Sequence, residues 1–190
     1  MKKWWPLVIV AGVILISLFM AIGTYNSLVN KEEAAKTAWS QVENQYQRRF
    51  DLIPNLVETV KGFAKQEREV LTEVTRLRSQ WGEARTSGNI AQAQQAARGL
   101  DSALSRLLLV VERYPELKSN QNFLRLQDQL EGTENRISVE RRRYNLAAKD
   151  YNVAIRRFPT NLLASMLGFS RMELFEAEEG AAKAPKVKFE

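Results

Sequence analysis

WWPLVIVAGVILISLFMAI, residues 4–22, decides the architecture of this chain. The stretch carries no charge, and Lys2 and Lys3 stand just before it. A run of roughly 20 apolar residues matches the ~30 Å hydrocarbon core of a bilayer. Trp4 and Trp5 at one end and Tyr25 at the other sit where interfacial aromatics belong. The run therefore reads as a single membrane anchor over residues 1–24. A cleaved signal peptide is the competing reading, because Ala21-Ile22-Gly23 offers a small-x-small site. Against it, Leu7 to Ile22 exceeds the ~7–15 apolar residues of a signal h-region. No cysteine follows that could take a lipid. Lys2 and Lys3 favour an N-terminus in the cytoplasm and a domain on the far side.

The chain has 190 residues, and those beyond the anchor leave room for one domain of ordinary size. The chain has no cysteine and no histidine. That excludes disulfides and thiolate metal sites, and it removes the commonest general base together with the commonest metal ligand. The expectation is no catalytic residue, no cofactor and no metal. A di-iron bundle site would want Glu-x-x-His pairs, and glycoside hydrolysis would want a cleft between two carboxylates. The net charge of +6 is spread among acidic residues at helical spacing. Nucleic-acid binding needs a concentrated basic face, and Arg141-Arg142-Arg143 splay around a helix, so no nucleic-acid partner is expected. Membrane lipid with anionic headgroups is the better use of the excess charge.

The soluble part reads as helix throughout, with apolar residues recurring at three and four. Tyr25, Leu28, Val29, Trp39, Val42, Tyr46 and Phe50 continue the anchor helix outward. Ile53, Leu56, Val60, Phe63, Glu67, Val70, Val74, Leu77 and Trp81 form a second stripe. Asp51 as an N-cap with Pro54 in the first turn predicts a sharp turn near Phe50; one helix merely kinked at Pro54 is the alternative. Gly82 and Thr86–Asn89 break the chain again. A third segment runs from Ile90 to Val111 and ends at Tyr114-Pro115. A fourth, capped at Ser119 or Asn120, runs from Phe123 to Ile155. Tyr144-Asn145 and Tyr151-Asn152 recur one heptad apart and so face one side.

The expected fold is all-α: one N-terminal transmembrane helix plus an antiparallel up-down-up-down bundle over residues 25–159. The turns at 50–54 and 114–119 then form a distal tip, and the turn at 82–89 lies near the bilayer. Residues 160–176 read as an amphipathic, membrane-proximal helix carrying Leu162, Leu163, Met166, Leu167 and Phe169. It lies on lipid or a neighbouring subunit, or it folds back to cap the bundle's own core. Residues 177–190 read as a disordered tail.

Arg48-Arg49-Phe50-Asp51-Leu52-Ile53-Pro54-Asn55-Leu56-Val57, with Tyr25–Val29, Trp39, Glu112–Lys118, Phe123, Thr133-Glu134, Arg141, the two Tyr-Asn pairs and Phe158-Pro159, resembles the LemA family of bacterial membrane proteins. The likeness runs from the anchor to about Phe175. It implies a transmembrane helix, an all-helical domain without known catalysis, and genomic company with membrane proteases. It also implies a short N-terminus outside, opposite to the charge reading. The expected location is the bacterial inner membrane, single-pass, with the charge reading of Lys2 and Lys3 putting the domain on the extracytoplasmic side.

Two sets of polar residues stand out. Arg48, Arg49, Asp51, Pro54 and Asn55 with Tyr114 and Pro115 read first as turn chemistry, and alternatively as a distal docking surface. Glu67, Glu134, Arg141, Asn145 and Asn152 lie at inward positions and read as a core polar network that sets register. The functional expectation is a non-enzymatic scaffold that self-associates as a homo-oligomer. The alternative is an adaptor for a membrane protease or other envelope protein.

Overall fold

The computed structural model describes residues 4–64 and 67–175. The expected tail at 177–190 falls outside them. Six helices follow in order: α1 Trp5–Phe63, α2 Arg68–Thr86, α3 Ile90–Val111, α4 Pro115–Lys118, α5 Gln121–Arg156 and α6 Thr160–Met166. The bundle runs up-down-up-down through α1, α2, α3 and α5, so the fold is the all-α class read from periodicity.

The first turn is not where Asp51 and Pro54 place it. α1 is one helix of 59 residues, with Pro54 inside it, roughly 90 Å long. An interior proline removes the hydrogen bond to the carbonyl four residues back, at a cost of about 3 kcal/mol. The helix continues because Tyr46, Phe50, Ile53, Val57 and Val60 form one buried stripe that a turn would break. Pro54 itself faces solvent. Asp51 caps nothing; it accepts from Gln47 Nε2 at 2.8 Å, one turn back. The chain reverses instead after Ala64.

The other ends follow their local chemistry. Gly88, at φ +68, closes α2, where Gly88 N–H donates to Arg85 O and Asn89 N–H to Ala84 O. Asn89 then caps α3, and Asn120 caps α5, accepting from the Asn122 and Phe123 N–H groups.

Two levels result. The head packs α1, α2, α3 and α5 around Phe50, Leu56, Trp81, Leu100, Leu107 and Ile137. The α2–α3 contact is close, because α3 presents Ala93, Ala96, Ala97 and Gly99. A Cβ on Gly99 would lie 2.8 Å from Leu77 Cδ2. Arg85 Nη1 donates to Gln47 Oε1 at 2.8 Å, which places the 82–89 turn at the height of Gln47. That turn therefore stands well above the end of the apolar run, contrary to its expected position near the bilayer. Below it, α1 and α5 continue alone as a stalk.

The stalk is completed by the residues after α5. The amphipathic helix expected over 160–176 is only Thr160–Met166. Gly168, at φ +79, ends it, with Phe169 N–H donating to Ala164 O at 3.0 Å. The chain then runs extended from Phe169 to Phe175, back along α5. Ala164 and Phe169 join Leu28, Tyr151 and Ile155 in a small basal core, and Tyr25 meets Phe169 with ring centroids 5.9 Å apart.

Candidate functional site

The residues expected to form one core network divide into three groups at different heights. Glu67 stands at the tip. It accepts from Arg113 Nη2 at 2.9 Å and from the Tyr114 hydroxyl at 3.3 Å, tying the α1–α2 turn to the turn before α4. Of the proposed docking residues, Tyr114 and Pro115 are at this tip. Arg48, Asp51, Pro54 and Asn55 are exposed lower down on α1, and the two sets do not meet. Arg49 is not a surface residue at all, being 6% exposed.

Arg49 belongs to the second group, at the junction of head and stalk. Arg49 Nη1 donates to Asp101 Oδ1 at 2.7 Å and also to Glu134. Arg141 Nη2 donates to Asp101 Oδ2 at 2.6 Å and to the Tyr46 hydroxyl. Asp101 is thus bridged by two guanidinium groups from α1 and α5, while it is itself held on α3. Burial pushes the Asp101 carboxyl up, against the pull of Arg49 and Arg141. Burial also raises the Tyr46 hydroxyl above its ordinary value. Desolvation works against the Arg141 charge, but Tyr46 and Asp101 outweigh it and raise its pKa. The four charges cancel, and the cluster joins three helices at one level. The sequence reading does not name Asp101, and it takes Tyr46 only as a member of the first apolar stripe. The signal was present: Arg49 is three residues from Tyr46 and four from Ile53, and Asp101 is three residues from Leu104.

Asn145 and Asn152 form the third group. Asn145 Nδ2 donates to Phe175 O at 2.8 Å, and Phe175 N–H donates to Asn145 Oδ1 at 2.8 Å. Asn152 repeats the pair on Met172, at 2.8 and 2.9 Å. The Tyr144 hydroxyl donates to Glu173 O at 2.7 Å. Seven helical residues rise ~10.5 Å, and three extended residues span ~10 Å. The heptad repeat of Tyr-Asn is therefore in register with backbone groups three residues apart on an extended strap. Phe175 fills the cage at its end, stacked 5.7 Å from Trp39, with Tyr144 at 5.8 Å and the Arg141 guanidinium 5.1 Å from its centroid. Burial lifts the Tyr144 hydroxyl to about 12.

The anchor and interface residues occupy the base. Trp4, Trp5 and Tyr25 are exposed on α1. Of the later set, Leu162, Met166 and Leu167 are exposed, with Met166 at 81%. Leu163 is half-buried and Phe169 packs inward. Phe158 adds a side chain 82% exposed. The fold-back reading describes Phe169 and Phe175, which pack against the bundle, while Phe158, Leu162, Met166 and Leu167 stand exposed as an apolar collar. The apolar window of α1 has none of its residues buried within the protein.

Nothing in these groups is arranged as a nucleophile beside a base. Among the described residues, no cluster of His, Cys, Asp or Glu is placed to hold a metal.

The chain is similar to several known proteins. Magnetosome protein MamQ 2 of Paramagnetospirillum magneticum (strain ATCC 700264 / AMB-1) is 31% identical over 186 residues, covering 86% of this chain and 68% of that protein. Magnetosome protein MamQ of Magnetospirillum gryphiswaldense is 30% identical over 209 residues, covering 96% and 76%. Protein LemA of Metamycoplasma hominis is 26% identical over 164 residues, covering 85% and 73%. Residues 38–189 match the LemA family as a whole. This membrane-associated helical chain belongs to the LemA family.

Proposed function

We propose that the protein is a non-enzymatic, single-pass scaffold of the bacterial inner membrane, with its bundle on the extracytoplasmic side, that works by lateral self-association. The observation that carries this reading is a column of exposed apolar side chains on α5. Val139, Leu146 and Val153 stand one heptad apart and are all solvent-facing, and the column leads down to the collar at Phe158. Relatives named after a structure, the magnetosome, rather than after a reaction support the same reading.

Anchors inserted the same way keep every copy parallel. The column is flanked by both signs, Asp150 as well as Arg136, Arg142, Lys149 and Arg156, so charge alone does not choose between α5 and a different surface of its neighbour. The scaffold reading takes the second arrangement, because heterologous contacts grow into rings or open arrays. The test is the mass of particles excised with native membrane, comparing wild type with the Val139→Ser/Leu146→Ser/Val153→Ser variant. The wild type should form large particles of this chain alone, and the variant small ones. Large particles from the variant would end the scaffold reading.

The adaptor reading has one observation of its own. A groove of about 670 Å³ near the tip, between α1 and α2, is lined by Val57, Lys61, Leu71 and Arg76. Under that reading, particles contain a second envelope protein, and Thr72→Glu, an exposed position in the groove, releases it.

A further inference from the structure

Where α1 leaves the apolar run, a groove of about 610 Å³ opens between α1 and the end of α5. Its volume is within the range of small-ligand sites. Its floor is Gly23 and Thr24, directly after the apolar run ends at Ile22. Ser27 adds a hydroxyl, and its cations are Lys31 on α1 and Arg157 just past α5. Among the described residues, neither cation has a salt-bridge partner, whereas Lys36, five residues further along α1, is held by Glu32 and Glu33. Asp150 stands on the same wall.

We propose that this groove seats the headgroup of an anionic phospholipid, with its phosphate between Lys31 and Arg157. The proposal rests on residues 4–22 spanning the bilayer. That span puts Gly23 and Thr24 at headgroup depth, because the interfacial layer extends several ångströms beyond the hydrocarbon. Arginine and lysine supply the charge-assisted hydrogen bonds that phosphate oxygens accept. Gly23 presents no side chain, so the headgroup can approach the helix backbone. Two cations and one carboxylate leave a single positive charge, which suits a headgroup bearing one negative charge. Asp150 accepts from headgroup hydroxyls, so a phosphoglycerol headgroup fits better than a bare phosphate monoester. The acyl chains descend past Met20, beside the collar of Phe158 and Met166.

The test uses the full-length chain, delipidated in detergent and loaded with phosphatidylglycerol, phosphatidylcholine or phosphatidic acid. Bound lipid is counted by native mass spectrometry. Wild type should retain phosphatidylglycerol over phosphatidylcholine, and Lys31→Gln/Arg157→Gln should weaken that retention by about tenfold or more, the scale of losing charged hydrogen bonds. Lys36→Gln should change nothing, and Asp150→Ala should erase the preference over phosphatidic acid. Circular dichroism melts check that each variant folds. If the double variant melts early, Arg157→Gln alone should still lose several-fold. Retention equal to wild type in the folded variants overturns the proposal. So does displacement of the lipid by an equal concentration of glycerol phosphate, which would mark a site for free anions. Extraction of the chain from membranes by alkaline carbonate would instead overturn the spanning reading beneath it.

Discussion

The head and the stalk solve the same packing problem with different numbers of walls. In the head, four helices enclose the core, and shape alone does much of the fastening: Ala93, Ala96, Ala97 and Gly99 let α3 approach α2. In the stalk the only long helices are α1 and α5, with the short α6 at the base, and two long helices cannot surround Trp39, Tyr144 and Tyr151. The extended strap supplies the third wall. A strap has backbone donors and acceptors on its edges that would be costly to bury unpaired, so Asn145, Asn152 and Tyr144 satisfy them. Packing suffices where helices surround a core; polar fastening appears where a non-helical segment must close it. The Arg49–Asp101–Arg141 cluster sits where one solution gives way to the other.

Removing that joint should have the largest effect. Arg141→Met leaves Asp101 buried with only Arg49 and withdraws the cation from the Phe175 cage. A broken buried pair costs about 3–5 kcal/mol, to be read as a lowered denaturation midpoint. A midpoint unchanged by Arg141→Met would mean that head and stalk are not joined there.

Loosening the strap should act on the stalk alone. Asn152→Ala removes two hydrogen bonds to Met172, worth about 2 kcal/mol together, so the Met172 and Phe175 amides should exchange with solvent roughly 30-fold faster. Amides of α2 and α3 should be untouched. Faster exchange throughout the head would show that the two levels are one cooperative unit.

Alkaline pH probes the stalk more gently. The Tyr144 hydroxyl is lifted to about 12 by burial, while in the unfolded chain it titrates near its ordinary value of about 10. Below pH 10 both states are neutral and nothing changes. Between pH 10 and 12 the unfolded state loses the proton first, so stability should fall as pH rises. Tyr144→Phe should reduce that slope in thermal melts.

The smallest effect belongs to the head's close contact. Gly99→Ala gains helix propensity of up to about 1 kcal/mol, offset by displacing the Leu77 methyl, the mobile end of its side chain. A net change below about 1 kcal/mol is expected, whereas Gly99→Leu should cost about 1–3 kcal/mol by overpacking. If Gly99→Leu is silent, the hairpin is looser than its geometry.

Much of this was legible in the chain. The apolar run, the four long segments and the shared side of the two Tyr-Asn pairs follow from periodicity alone. Asp51 and Pro54 misled, because turn chemistry is local and the stripe through Phe50, Ile53 and Val57 overrides it. That error also hid Arg49, which looks like a helix end only if the helix stops there. The strap was unreadable for a different reason. Its partners are side-chain amides from another element, and an extended segment of seven residues has no period that announces them. Residues 160–176 therefore read as one amphipathic helix, whereas Gly168 ends the helix.

α1 passes from the apolar run to the tip with no intervening loop, and its part beyond Thr24 is roughly 60 Å long. On the proposed spanning reading it is a mast stepped in the membrane. Membrane helices tilt to match hydrocarbon thickness, by about 20° on average. On a mast of this length, each 10° of tilt sweeps the tip sideways by roughly 10 Å. The proposed span thereby writes local bilayer thickness into the lateral position of the tip.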